Sequence, residues 1–522
     1  MPTEPRITTL PTQDSLVKQA VYDDADGVGS DHSAPMGFVR EQDASSSERT
    51  NTPMGVAAQQ SSLSIHDERM LRWVLSAYTV TATFWLLFAT AVGVLIAYKF
   101  GAPDFAPGEW LTFGRLRPIH TNATFYGWAS LALVGLAYYV AARSSRTRLY
   151  SPRLAWIGLV LFNGAAVAGT IALALGHNNG NLEYREWPGP IRLIFLGALL
   201  ITAWNLIGTV ARRSTHDIYL SNWYTVGAVL WTCIIAVVAT LPWYQYGLGQ
   251  VSVSGFYMHN AVGMWFTPLA LGIFYYALPK LLNRPIYSYA LGVFAFWTNL
   301  VFYPIIGAHH FLFSPLPWWL QTTAIVFSVA MLVPVWGGSA NFLLTMRGRM
   351  RDMTHSYPLM FIFVGVIGYL VGSTQGTFEA FRSLQEVWHM TNFTVGHSHL
   401  TMYGFVTFAI WGGLYVLLPL GTGKEPGPLG LALHFWMAVV GSFIYVISLS
   451  VGGTLQGLDW KHGLPFIQSV ADMQSYWVWR GVGGSLMFLS HVVFGWNVWR
   501  MTYGVGAKAA PNDSNPAAGA GA

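Results

Sequence analysis

The chain has little charge and almost no cysteine. Only 10% of its 522 residues are Asp, Glu, Lys or Arg, whereas 53% are hydrophobic and 15% are aromatic. Soluble domains usually carry about 25% charged residues, so the composition excludes an ordinary soluble protein. The single cysteine, Cys233, excludes an internal disulfide and a thiolate metal cluster. A transition metal would therefore depend on imidazole nitrogen, and the chain contains 15 histidines.

Apolar stretches long enough to cross about 30 Å of hydrocarbon recur about twelve times. Their centres lie near Leu86, Leu131, Val167, Leu200, Ile235, Leu269, Leu300, Phe327, Val366, Phe405, Val440 and Phe488. The sequence lacks the alternating segments of about ten residues that are typical of outer-membrane barrels. We therefore predict an all-α polytopic protein with about twelve transmembrane helices in a lipid bilayer.

The two ends of the chain differ in composition from this apolar region. Residues 1–68 are rich in Ser, Asp, Thr, Gln and Pro, and residues 505–522 in Ala, Gly, Pro and Asn. Both segments are predicted to be disordered tails around one transmembrane domain at residues 69–504. Arginines concentrate in the short loops on the side shared by both termini, which should therefore be cytoplasmic. The net charge of +5 thus reflects topology and indicates no nucleic acid.

Two histidines in the tenth apolar stretch, His397 and His399, are separated by one residue. Helical positions i and i+2 point about 200° apart, so one helix can hold a metal centre on each side. An ionisable residue at membrane depth marks a functional site by default, and each of these histidines requires a partner.

Four further histidines are candidate partners. His309 and His310 end the seventh stretch, and adjacent imidazoles can reach one metal when a third arrives from elsewhere, here from His259. Three neutral imidazoles suit copper, and by their number alone they also suit zinc or non-haem iron. His120 follows two arginines at the start of the second stretch. His434 and His491 have no partner motif, and we interpret them as hydrogen-bonded helix residues.

These residues resemble the haem-copper oxygen reductases, specifically the C family of cbb-type cytochrome c oxidases. The matching strings are Gly114-Arg-Leu-Arg-Pro-Ile-His-Thr-Asn-Ala, Asp217-Ile-Tyr-Leu-Ser-Asn-Trp, His259-Asn-Ala-Val-Gly, Arg284-Pro-Ile-Tyr-Ser-Tyr, Gly307-Ala-His-His, Val335-Trp-Gly-Gly-Ser-Ala-Asn and Thr394-Val-Gly-His-Ser-His. They run in the family's order across the whole apolar region. The resemblance implies the haem-copper oxidase subunit I fold.

The resemblance also implies a role for each of the six histidines. His120 and His399 would be the axial ligands of a low-spin haem b, and His397 would hold a high-spin haem b from the other side of the tenth helix. The copper facing that haem would be held by His259, His309 and His310.

A tyrosine is implied at the same centre. Tyr303 occupies the family position of a residue that is covalently joined to the copper-ligand histidine of the preceding helix, here His259, and that donates an electron and a proton to oxygen. The family usually has Gly-Pro-His-His where this chain has Gly307-Ala-His-His, with a proline at Pro304 instead. The bend of the seventh helix is therefore expected at a different place.

Four charged residues match the family's positions around the haems. Glu183, in a loop with Glu186, resembles a glutamate that helps to bind calcium, and hard oxygen ligands suit that ion. Arg115 and Arg117 are expected partners of the haem propionates. Glu379 matches a family glutamate near the active site and is expected to have a proton or water role.

The function expected from this resemblance is that of a terminal respiratory oxidase in a bacterial inner membrane. It would reduce O2 to water at a haem b–copper centre, coupled to proton translocation. The chain has no Cys-x-x-Cys-His haem attachment, so electrons from cytochrome c should arrive through membrane-bound c-type cytochrome subunits.

Two alternative functions would each require a feature that this sequence lacks. A nitric oxide reductase of the same superfamily would carry non-haem iron and glutamates near His259, where this chain has Asn-Ala-Val-Gly-Met-Trp-Phe-Thr. A membrane transporter would show related halves with interrupted helices, and the histidine motifs do not repeat.

Overall fold

The computed structural model describes residues 63–180, 182–241 and 246–504. Within these ranges the protein is helical and has no strand, which confirms the predicted all-α class. Twelve long helices run in chain order: α1 Ile65–Gly101, α2 Phe113–Ser144, α3 Pro152–Ala174, α4 Gly189–Ala211, α5 Leu220–Thr240, α6 Gly247–Leu282, α7 Tyr289–Phe311, α8 Trp318–Met346, α9 Tyr357–Glu379, α10 Asn392–Thr422, α11 Pro428–Lys461 and α12 Gln474–Thr502. Short helical turns at Glu109–Leu111, Met350–His355, Arg382–Trp388 and Phe466–Asp472 lie in the connections.

Eleven of these helices, α1 to α11, are long and apolar enough to cross a membrane. With 29 residues, α12 is also longer than the roughly 20 that a span requires. The predicted number of about twelve agrees with this arrangement. Most of the predicted tails at 1–68 and 505–522 lie outside the described residues, and α1 begins at Ile65, four residues before the expected boundary at 69.

Three helices form the centre of the bundle. The most apolar windows of α2, α6 and α10 are 100%, 89% and 89% buried, against 33–50% in the other eight candidate spans. A membrane helix that is buried all round must lie inside a ring of other helices, whose outer faces remain apolar toward lipid. The inner helices are those that carry His120, His259 and the His397–His399 pair, so the fold places these motifs away from lipid.

Each inner helix changes its winding just after its histidine motif. A π-helical segment begins at Ala123 after His120, at Ala261 after His259 and at Leu400 after His399. In α7 the last nine residues, Tyr303–Phe311, form a 3₁₀ segment with a proline in its first turn. Local π turns occur frequently at functional sites because they move side chains out of the regular α register.

One end of the bundle is rich in arginine. Glu68 in the first turn of α1 pairs with Arg143 in the last turn of α2 at 2.9 Å, so these two helix ends lie together. The loop after α2 adds Arg146 and Arg148, and the first turn of α3 adds Arg153. We call this end the arginine-rich face.

Candidate metal centres

Three histidines from two helices meet inside the bundle. The ligand nitrogens of His259 in α6 and of His309 and His310 in the 3₁₀ end of α7 all lie within 4.8 Å of one another. His259 Nδ1 and His310 Nε2 are 2.9 Å apart. Nitrogens bound to one metal at about 2 Å are separated by about 3 to 4 Å, so this spacing fits a shared ion. We call these residues the histidine trio.

A hydrogen bond fixes which nitrogen of His309 faces the trio. Ser328 Oγ donates to the Ala324 carbonyl at 2.7 Å and therefore accepts from His309 Nδ1, also at 2.7 Å. The proton of His309 is thus held on Nδ1, and Nε2 keeps the lone pair that a metal requires. Ser328 is a supporting residue of α8 in this arrangement.

The ring of Tyr303 stacks on His259. The two ring centroids are 4.2 Å apart with an interplanar angle of 22°. Gly263, one helical turn after His259, makes this possible, because a Cβ at that position would overlap the Tyr303 ring. His259 Nε2 is buried and has no hydrogen-bond partner among the described residues. The proline at Pro304 therefore still leaves the tyrosine against the trio.

Two further imidazoles, those of His120 and His399, lie face to face. The His120 and His399 rings are nearly parallel, at 13°, with centroids 6.3 Å apart. Each Nδ1 is held by a carbonyl, that of Ala89 at 2.7 Å and that of Val395 at 2.8 Å, so each Nε2 is free to bind a metal. An iron with one axial nitrogen about 2 Å away on each side would separate the centroids by about 6 Å, so the pair fits bis-imidazole ligation of a haem.

His397 lies on the same helix as His399 and contacts α9 instead. Its Nδ1 is 3.1 Å from Gln375 Oε1 and 3.1 Å from Glu379 Oε1. The Gln375 oxygen can accept the proton on Nδ1 and so leave Nε2 as the ligand atom, whereas Glu379 Oε1 is buried without a hydrogen bond from the described residues. Glu379, expected near the active site, is thus placed against this imidazole.

Comparison with known proteins assigns the chain to a family. The model of the family "Cytochrome C and Quinol oxidase polypeptide I" matches residues 74–486. The chain belongs to this family. It is 32% identical to the cbb3-type cytochrome c oxidase subunit CcoN1 of Stutzerimonas stutzeri over 82% of this chain and 94% of the relative. A cytochrome c oxidase subunit 1 of Rhodobacter capsulatus is also 32% identical, over 82% and 84% of the two chains.

The solved structures show the same fold. A haem-copper terminal oxidase dimer studied by cryo-electron microscopy superposes with a TM-score of 0.72 at 15% identity, over 83% of this chain and 84% of that one. The predicted haem-copper oxidase subunit I fold is therefore confirmed. As members of this oxidase family contain haem and copper, the two imidazole arrangements above are the places in this chain that suit them.

The charged residues expected around the haems are bonded to protein groups. Arg117 Nη2 donates to Glu183 Oε1 at 2.6 Å and lies 3.7 Å from Glu186. Arg115 Nη1 donates to the Ala174 carbonyl at 3.0 Å. Burial raises the pKa of Glu186, which lies in the loop before α4, although a bond from Asn122 opposes this shift. The expected calcium role of Glu183 and the propionate roles of both arginines remain predictions.

The sequence reasoning missed Arg480 of α12. This residue is only 6% exposed, and its Nε and Nη1 have no hydrogen-bond partner among the described residues. Its guanidinium lies over the ring of Tyr445, which in turn packs on His399 with centroids 4.4 Å apart. An unpaired buried guanidinium beside the imidazole pair suits an anionic haem propionate. Its position inside an apolar stretch was a signal that could have identified it.

Proposed function

We propose that this chain is the catalytic subunit of a cbb-type cytochrome c oxidase. It reduces O2 to water with electrons from cytochrome c and couples the reaction to proton translocation. The histidine trio, His259 with His309 and His310, is the observation that carries this proposal. The family match over residues 74–486 and the relatives named as cytochrome c oxidase subunits support it.

The donor set of the trio favours copper over non-haem iron. Among the described residues, no carboxylate joins the three imidazoles as a member of the group. Neutral imidazole suits copper well, whereas iron in a comparable site usually has a carboxylate ligand. Nitric oxide reduction, the alternative within the superfamily, is therefore disfavoured, and the metal content decides between the two.

Tyr303 would be the proton and electron donor beside the trio. Its ring already stacks on His259, whose Nε2 is buried without a partner in the described part of the chain. That nitrogen is the atom available for a covalent bond to the tyrosine ring, because Nδ1 faces His310. Gly263 would keep the two rings in contact by leaving space for the phenol.

The two imidazoles of α10 would separate two b-type haems. His399 with His120 would hold the low-spin haem, and His397 would hold the high-spin haem that faces the copper. When bound, the haem irons and the copper would supply electron transfer and the binding and reduction of O2. Gln375 would orient His397 through its Nδ1, and Glu379 would lie 3.1 Å from the same nitrogen.

Electrons would reach the low-spin haem from partner subunits. The chain has a single cysteine, so it cannot attach a c-type haem through two thioethers. Membrane-bound c-type cytochrome subunits would therefore relay electrons from cytochrome c. The complex would lie in the bacterial inner membrane with both termini in the cytoplasm, and Glu183 would contribute to a calcium site.

Optical spectra of the purified oxidase, with and without carbon monoxide, test the proposal together with metal analysis. Two b-type haems, one of which binds carbon monoxide, and one copper per chain are expected. Non-haem iron in place of copper would overturn it, and the absence of haem would revive a transport function. His397→Leu and His399→Leu form a matched pair on one helix: the first should abolish carbon monoxide binding, and the second the low-spin spectrum.

A further inference from the structure

A second group of polar side chains lies inside the bundle between α1, α10, α11 and α12 and contains none of the proposed metal ligands. Its members are Thr90, Tyr403, Tyr415, His434, His491 and Asn497, which we call the buried array. Both histidines are 0% exposed. Polar side chains at membrane depth are costly unless they have a function or a complete set of partners.

The partners of His491 leave it able to accept a proton. Thr90 Oγ1 donates to the Leu86 carbonyl at 2.6 Å, so it accepts from His491 Nδ1 at 3.0 Å. The other nitrogen, Nε2, then carries a lone pair and accepts from the Tyr403 hydroxyl at 3.2 Å. A proton added at Nε2 would require only that this hydroxyl turn toward Ser490 Oγ, which is 3.4 Å from it.

The second half of the array contains unsatisfied polar atoms. Tyr415 accepts from Asn497 Nδ2 at 2.9 Å, so its hydroxyl proton is directed to His434 Nδ1 at 2.8 Å. His434 Nε2, Asn497 Oδ1 and the indole nitrogen of Trp411 are buried without partners among the described residues. Buried polar atoms of this kind are usually satisfied by internal water, which can also relay protons.

An indole connects the two halves. The Trp411 ring lies 4.4 Å from His434 and 5.6 Å from His491 between centroids. Its unsatisfied nitrogen is therefore part of the same buried region as both imidazoles. The ionisable side chains near His491 on the packed helices are Tyr403, which bonds to its Nε2, and His434.

The array lies between the low-spin haem site and the end of the bundle that carries the arginine-rich face. At that end a Cβ on Gly421, in the last turn of α10, would lie 3.5 Å from Arg72 near the start of α1. At the outer end Gly427 leaves space for Arg500, whose guanidinium would lie 2.7 Å from a Cβ there, and Lys424 Nζ donates to the Thr502 carbonyl at 3.2 Å. At the inner end Thr90 follows Ala89, whose carbonyl holds the Nδ1 proton of His120. The polar chain thus touches α1 at the turn that supports a proposed haem ligand.

We propose that the buried array is a proton-exchange site coupled to the low-spin haem, with His491 Nε2 as the proton acceptor. One electron arriving at the haem from the partner cytochromes is accompanied by one proton entering from the arginine-rich face, and both leave when the electron moves on. An added negative charge in a medium of low dielectric constant attracts a compensating proton. This inference rests on the proposed function.

Proton uptake in the purified oxidase complex tests this proposal. Carbon monoxide keeps the high-spin haem reduced, so that the low-spin haem is titrated with only the c-type haems of the partner subunits and is followed by its own b-type spectrum. A pH-indicator dye follows proton uptake at the potentials where that spectrum changes. In the wild type the potential of the low-spin haem should fall as pH rises. His491→Phe and Tyr403→Phe should each lose at least half of the proton uptake, whereas His462→Gln, at an exposed histidine outside the array, should retain all of it.

Three outcomes separate the array from the proposed function. A wild-type potential that is independent of pH, with no proton uptake, overturns the role of the array while both haem spectra remain. Unchanged uptake in both array variants also overturns it. Failure of the proposed function would instead appear as the absence of a low-spin haem spectrum in the wild type.

Discussion

Gly263→Ala should disable the histidine trio without affecting the low-spin haem. Gly263 lies in the π segment of α6, and the only added atom would be one Cβ. That atom would overlap the Tyr303 ring, at a separation that real Cβ atoms essentially never show. Because the ring is packed on His259, the clash must move either the phenol or α6 itself.

The expected magnitude follows from this clash. Overpacking a buried site costs about 1–3 kcal/mol, whereas the higher helix propensity of alanine returns at most about 1 kcal/mol. A shift of about 1 Å between catalytic groups can reduce a rate about 100-fold. We therefore expect oxygen consumption to fall about 100-fold and copper content to fall, with the low-spin haem spectrum unchanged.

Gly164→Ala is the matched control, since a Cβ at Gly164 in α3 would meet nothing within 4 Å. Gly164→Ala gains only the higher helix propensity of alanine. The difference in thermal stability between the two variants therefore measures the cost of overpacking at Gly263. Copper content, the reduced-minus-oxidised spectrum and oxygen consumption are measured on the same preparations. Wild-type copper and activity in Gly263→Ala would refute the reasoning that Tyr303 is held by this close approach.

Three other substitutions test separate contacts. Gly93→Ala should lower the occupancy of the low-spin haem, because its Cβ would lie 2.7 Å from the His120 ring. The reduced-minus-oxidised spectrum should show this loss, while the carbon monoxide spectrum should be unchanged. Ser328→Ala should weaken copper binding about 10- to 100-fold, as measured by chelator competition, because it releases His309 Nδ1. Ser339→Ala should leave copper binding unchanged, because this buried hydroxyl has no partner in the described residues. Arg480→Gln should lower the midpoint potential of the low-spin haem by removing a buried positive charge beside it, and an unchanged potential in a redox titration would contradict the propionate role.

Hydropathy was sufficient to predict the fold class, because bilayer thickness fixes the length of an apolar helix. Hydropathy could not identify α2, α6 and α10 as the inner helices. The inner and outer helices are both apolar, and they differ in whether protein or lipid surrounds them. Arg480 shows a related limit. Its position in an apolar stretch was visible in the sequence, but its proximity to His399 through Tyr445 depends on how α11 and α12 pack.

The winding of the helices explains why simple angular reasoning was adequate for one motif and insufficient for another. His397 and His399 lie in the regular α-helical segment Asn392–His399, before the π segment begins, so the angle of about 200° between them applies. His309 and His310 lie in a 3₁₀ segment, where successive residues turn about 120° instead of about 100°. The π segments after His120, His259 and His399 shift the residues that follow, including Gly263 and Tyr403. Periodicity of 3.6 residues cannot reveal such a shift. The sequence therefore indicated the histidines themselves, whereas the contacts that hold and supply them depend on departures from the α-helix.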